Sequence, residues 1–180
     1  MIKKVVFVVL LTALLFSACG TQRSGFGYSV IDGEVTITGY VGFNKNIVIP
    51  HEIYGMPVVT IFNEAFRKKR LRSVVIPDTV THIESQAFAE NRLTSMVIPH
   101  SVTYIGGLAF ARNRLTSVVI PDSVIFIHER AFEGNYAEDV ATPFSIMIFR
   151  NTATIIGYSG SEKNVVIPES INGLPVVTII

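Results

Sequence analysis

Tryptophan is absent from the 180 residues, cysteine occurs once, and neither sign of charge dominates: 15 Lys and Arg stand against 14 Asp and Glu, a formal net charge of +1. A single cysteine forms no internal disulfide, so the chain is not a disulfide scaffold and must be held by packing. A charge so near zero gives no overall pull toward nucleic acid, and no nucleic-acid partner is expected. The most apolar stretch, Val5 to Phe16, has 12 residues, short of the roughly 20 that a membrane-spanning helix needs. Signatures of catalysis are missing as well. No Gly-rich phosphate loop follows a strand, no carboxylates pair, and serine recurs as a column, not as a single nucleophile. An enzyme is not expected, nor any catalytic residue, cofactor or metal. What is present is 49% hydrophobic residue, too much for a disordered chain and enough for a domain core.

The first twenty residues, "MIKKVVFVVLLTALLFSACG", have the layout of an export signal. Lys3 and Lys4 form a positive start, the apolar run follows, and small residues Ser17 and Ala18 precede Cys19. A lone cysteine at that place resembles a bacterial lipobox, although Phe16 sits where Leu is commonest. That resemblance implies a lipoprotein signal peptide over 1–18 and lipid attachment at Cys19. An ordinary cleaved signal with an incidental cysteine and an uncleaved anchor are the competing readings. Cleavage before Cys19 would remove Lys3 and Lys4 from the 15 basic residues and leave 13 against 14 acidic, a net charge of −1. The lipid would hold the chain on a membrane surface without spanning it.

The body of the chain repeats itself. Pro77, Pro99 and Pro121 lie 22 residues apart, and the segments around them share one register. It reads L-x-S-V/M-V-I-P-x-S/T-V-x-x-I-x-x-x-A-F-x-x-N-x. Leu71, Leu93 and Leu115 open the units; Ala87-Phe88, Ala109-Phe110 and Ala131-Phe132 come late, and Asn91, Asn113 and Asn135 close them. "IVIPHEIYGMPVVTIFNEAF" (47–66) and "VVIPESINGLPVVTII" (165–180) are partial copies. "SVVIP" is β-branched, brief and ended by proline, which predicts a short strand. Leu71, Val74 and Ile76 point one way, Ser73 and Val75 the other. Val80, Ile83, Ala87 and Phe88 supply the opposite wall, Phe88, Phe110 and Phe132 stack between, and the asparagines bond the turn backbone. One unit cannot bury its own apolar face, whereas stacked units can. The expected fold is a β-rich solenoid with short parallel strands forming a sheet on one side.

These residues resemble the BspA-type leucine-rich repeat of bacterial surface proteins, strongly over 47–136 and more weakly on the flanks. Ser or Thr (Thr79, Ser101, Ser123, Ser170) follows the strand where the common leucine-rich pattern has Asn. The resemblance implies a curved, right-handed leucine-rich repeat coil exported to the cell surface, attachment to host proteins, matrix or other cells, and no catalytic residues.

Two hairpins frame the repeats. In "YSVIDGEVTITGYVG" (28–42), Asp32-Gly33 is a strong turn pair between two β-rich runs, and this hairpin is expected to cap the first coil. "TITGYVGFNKNIVIP" (36–50) matches "TIIGYSGSEKNVVIP" (154–168) at an offset of 118 residues, which predicts a second hairpin over 144–158 with its turn at Arg150-Asn151. The expected organisation is a signal peptide at 1–18, a linker at 19–27, a capped repeat array at 28–136, a loop at 137–143, and a second hairpin with an incomplete repeat at 144–180. The second module stops before its Ala-Phe, so its end is expected to reflect truncation or pairing with another chain.

Three sets of residues are candidates for function. The outward sheet positions Ser73, Val75, Ser95, Val97, Ser117 and Val119, flanked by Arg72, Thr94 and Thr116, form a candidate binding face. Arg67, Lys68, Lys69, Arg70, Arg92, Arg112 and Arg114 form a candidate basic stripe for sulfated glycans, anionic lipid or an acidic partner. It either spreads into solvent or pairs with Glu84 and Glu90. His51 and His100 share the position after the proline, with Asp78 and Asp122 interleaved, but lie about two coils apart, too far for one ion unless an Asp joins them; hydrated turn residues are the expectation. His82 and His128 complete the four histidines. The reading from resemblance is a lipid-anchored surface adhesin that engages a protein or glycan. The alternative is a structural envelope protein that self-associates by stacking solenoids.

Overall fold

The computed structural model describes residues 25–128, 130–135, 144–149, 152–158, 167, 169–171 and 174–179. The signal peptide, Cys19, the turn at 150–151 and the loop at 137–143 lie outside the described residues. Two antiparallel strands open the structure, β1 (Phe26–Ile31) and β2 (Glu34–Tyr40). Asp32 and Gly33 between them have φ of 52° and 83°, the pair of left-handed residues that a tight hairpin turn requires. The hairpin begins at Phe26 and not Tyr28, because the Phe26 ring packs on Tyr40 at 5.3 Å and on Phe66 at 6.1 Å.

Then come β3 (Asn46–Val48), β4 (Glu52–Ile53), β5 (Met56–Ile61), β6 (Ser73–Val75), β7 (His82–Ile83), β8 (Met96–Val97), β9 (Tyr104–Ile105), β10 (Ser117–Val119) and β11 (Phe126–Ile127). A second hairpin, β12 (Phe144–Phe149) and β13 (Thr152–Tyr158), is followed by β14 (Ser170–Ile171) and β15 (Leu174–Ile179). The chain is a β-solenoid, and no helix occurs among the described residues.

It has two parallel ladders where one was expected. The "SVV" strands give the first: β3 pairs with β6, β6 lies against β8, and β8 pairs with β10. The second runs β2-β5-β7-β9-β11 through the two residues that end at each Ile, such as His82-Ile83. A two-residue strand has no periodicity to read, so only the coil-to-coil hydrogen bonds show it. The core lies between the ladders. Phe66, Phe88, Phe110 and Phe132 stack through it with centroids 5.0, 5.3 and 5.1 Å apart and planes within 10°. This spacing follows the strand separation of about 4.8 Å.

Polar columns lock the stack. Asn91 is buried; its Oδ1 accepts from Leu71 N at 3.0 Å, and its Nδ2 donates to Phe66 O at 2.8 Å and Phe88 O at 2.9 Å. Asn113 and Asn135 repeat the pattern one and two coils on. Each ties its own coil to the one before, and removing one would strand buried backbone groups at about 1–3 kcal/mol each. The Ser/Thr column does similar work. Thr79, Ser101 and Ser123 hydroxyls donate to the carbonyls of Val58, Val80 and Val102 at 2.8, 2.7 and 3.0 Å.

Candidate binding face and charged edge

On the first ladder the pleat decides which side chains face out. Ile47, Met96 and Val118 point into the core. Val48, Val75, Val97 and Val119 point out and are 68, 56, 83 and 61% exposed. The registers Val48↔Val75 and Val97↔Val119 pair them two by two, and β6 lies against β8 between the pairs. Val48 extends the three valines read from the repeat by one rung; its alignment on Pro50 was the available signal. Ser73 and Ser95 are exposed beside the file, Ser117 begins β10 in the same row, and the Ser73 hydroxyl donates to Asn46 Oδ1 at 3.0 Å. Arg72 and Thr94 are exposed and Thr116 half-buried at the strand entries, where Thr116 N donates to Thr94 O. Ser73, Val75, Val97 and Val119 therefore follow one another along the successive strands of the first ladder, with Arg72, Thr94, Ser95 and Thr116 at the strand entries.

The basic stripe does not hold together as one feature. Arg67 donates to Glu90 Oε1 at 2.7 Å and to Glu64 Oε2 at 3.1 Å, and Lys68 approaches Glu90 at 3.4 Å. Arg130 pairs with Glu133. Hydrogen bonding from Arg67, with attraction from Lys68, holds the Glu90 carboxyl below its usual range; Arg130, with Arg112 contributing, does the same for Glu133. Glu64, not Glu84, is the partner of this row alongside Glu90. Lys68, Glu90 and Arg112 occupy the same turn position in successive coils, each with positive φ, so this row alternates in sign. Arg70, Arg92 and Arg114 form a separate column of one sign. Lys69 sits beside it, its carbonyl accepting from Lys45 Nζ at 2.9 Å.

The second ladder carries an outward column that sequence reasoning missed. Its register runs Ser29↔Thr36↔Thr60↔His82↔Tyr104↔Phe126. Hydroxyls give way to rings, with His82 and Tyr104 stacked at 5.7 Å and Tyr104 and Phe126 at 5.0 Å. Of the remaining histidines, His51 and His100 are exposed after their prolines, and His128 Nδ1 accepts from Arg130 N at 3.1 Å. Among the described residues, no three His, Cys, Asp or Glu side chains gather as a metal site would require.

The family match agrees with this architecture. Six copies of the BspA type leucine rich repeat region match within residues 45–175. No curated protein matches the chain. Among solved structures, the chain is similar to a leucine rich repeat protein of T. pallidum, with 23% identity, TM-score 0.37, and 67% of this chain and 84% of that one covered. It is also similar to a leucine rich cell surface protein of Faecalibacterium prausnitzii A2-165, with 20% identity, TM-score 0.32, and coverage of 80 and 62%. A leucine-rich repeat protein of Bacteroides ovatus ATCC 8483 shares 19% identity, TM-score 0.29, and coverage of 73 and 53%. The chain thus spans less than two thirds of the latter two.

Proposed function

The chain belongs to the BspA type leucine-rich repeat family, and from that premise we propose that it is an exported, lipid-anchored bacterial surface protein that binds a host or matrix protein. It is an adhesin without catalysis. The observation that carries this reading is the valine file, Val48, Val75, Val97 and Val119, each more than half exposed on a short-stranded sheet. Apolar side chains aligned on the outside of a soluble fold favour docking of another surface. The neighbouring serines and threonines add hydrogen-bonding groups that a protein backbone can meet. The export signal and Cys19 support placement at the membrane surface, held by lipid.

The test is a binding screen of the purified chain against extracellular matrix proteins, repeated with Val97→Lys. Saturable binding that falls at least tenfold in the variant is the expected result. Undiminished binding would move the site off this face. Labelling with a fatty-acid probe, present in the parent and lost in Cys19→Ala, checks the anchor. Self-association is the second reading, favoured by one observation: among the described residues, the outer edge of β1 pairs with no other strand. Concentration-dependent sedimentation without any ligand would support it in place of adhesion.

A further inference from the structure

The charged edge contains a contrast that the valine face does not use. Two columns of the same turn run side by side along the stack. One, Lys68, Glu90 and Arg112, alternates in sign, and its Lys68 and Glu90 are tied up in ion pairs. The other, Arg70, Arg92 and Arg114, is positive at every coil. Backbone bonds fix its rungs: Arg92 N donates to Leu71 O at 2.8 Å and Arg114 N to Leu93 O at 2.9 Å. The three arginines therefore repeat at the coil spacing of about 4.8 Å. Arg70 and Arg92 are exposed, and no ion pair reaches either among the described residues. Glu64 and Glu90, on the adjacent row, are committed to Arg67 and Lys68. Lys69 adds a further cation in the first coil.

Like charges in file repel one another, a cost that the adjacent column avoids by alternating signs. The overall charge gives no reason for the file, since the chain is close to neutral. Guanidinium groups bind sulfate and carboxylate oxygens through paired N–H donors, and the column uses arginine at all three rungs. The file is narrow, because the row beside it is neutralised at Lys68 and Glu90, and it lies along the axis of the stack. That shape fits a thread better than a membrane plane. We propose that Arg70, Arg92 and Arg114 form a binding edge for a linear sulfated polysaccharide laid along the coils. This site is separate from the valine face and does not depend on it.

Heparin is the probe. Fluorescence anisotropy of labelled heparin with the purified chain should show saturable binding that weakens with salt. Arg70→Ser with Arg92→Ser should weaken it about 25-fold, about fivefold for each arginine. Arg67→Ser with Lys68→Ser removes the same charge from the paired row and should change it less than twofold. Equal losses in the two double variants would overturn the proposal, since net charge alone would then explain binding. Heparin fragments test it without any substitution: affinity should climb with length until three coils are spanned, and affinity independent of length would overturn it. Stronger capture by phosphatidylglycerol than by phosphatidylcholine vesicles, with no heparin binding, would assign the edge to a membrane and overturn it too.

Discussion

The two hairpins follow one plan and sit in different surroundings. β1 and β2 pair as Phe26↔Tyr40 with a bulge at Gly27/Tyr28; β12 and β13 pair as Phe144↔Tyr158 with a bulge at Ser145/Ile146. Val35↔Val58 and Ile37↔Ile61 in the first recur as Ala153↔Val176 and Ile155↔Ile179 in the second, always 118 residues on. The small antiparallel pair β4/β5 recurs as β14/β15. The difference lies on the outer side. β1 ends its sheet, whereas β12 pairs in parallel with β10, Val118↔Met147 and Val119↔Ile148. The first hairpin thus starts the second ladder, and the second hairpin extends the first.

Burial follows. In β2, Val35 and Ile37 are buried while Thr38 is exposed and Thr36 half-buried, so one face sees water. In β13, Ala153, Thr154, Ile155 and Ile156 are all buried. Ile156 belongs to the same hydrophobic cluster as Phe132, whereas Ala153 and Ile155, on the alternate face, lie outside it. A strand apolar on both faces joins two packed layers; a strand with a polar outer face ends one. The exchange of Thr38 for Ile156 at equivalent positions is the difference between a cap and a bridge.

The sharpest test of that contrast pairs Ile156→Asp with Thr38→Asp. A carboxylate at position 156 would be buried without a partner and should cost about 3–5 kcal/mol or more, enough to unfold much of the chain. At position 38 the same change should stay within about 0.5 kcal/mol. Urea unfolding of both variants measures it, and equal losses would mean that β13 is not enclosed on both sides. Next in size is Tyr40→Ala. Tyr40 is buried at 4%, lies 5.9 Å from Phe66, and donates its hydroxyl to Asn44 O at 3.2 Å. Its loss should cost about 3–5 kcal/mol by thermal or chemical unfolding. A cost under about 1 kcal/mol would show that the cap is held by strand pairing and not by its rings. A smaller loss is expected of Gly42→Ala. A Cβ there would run into the Tyr40 ring, and displacing the ring should cost about 1–3 kcal/mol. Combined with Tyr40→Ala it should cost almost nothing further, and full additivity in the double-mutant cycle would refute the contact.

Much of this was legible in the amino-acid sequence. The 22-residue register named Leu71, Ile76, Val80, Ile83 and Phe88 as core, and all five are buried. The 118-residue offset is likewise visible in the letters, and it recurs strand by strand. The candidate face was legible because alternation along "SVV" puts Val75 and Ser73 opposite Val74. The second ladder was not, since "HI", "YI" and "FI" are too short to show a period. Nor was the split of the basic stripe. "RKKRLR" reads as one cluster, but Arg67 and Arg70 leave the turn in different columns, and only the first has Glu90 within reach.

The sequence by itself determined the unit, its inward residues and the fact of repetition, because those depend on neighbours a few positions away along the chain. The tertiary structure alone decided which side chains meet across coils some 20 residues apart. It joined the second hairpin to β10, enclosed β13 on both faces, and neutralised Arg67 while leaving Arg70 and Arg92 without an ion pair among the described residues. The physical reason is that stacking brings together residues whose identities no local pattern constrains, and charge and burial are set by what lies alongside.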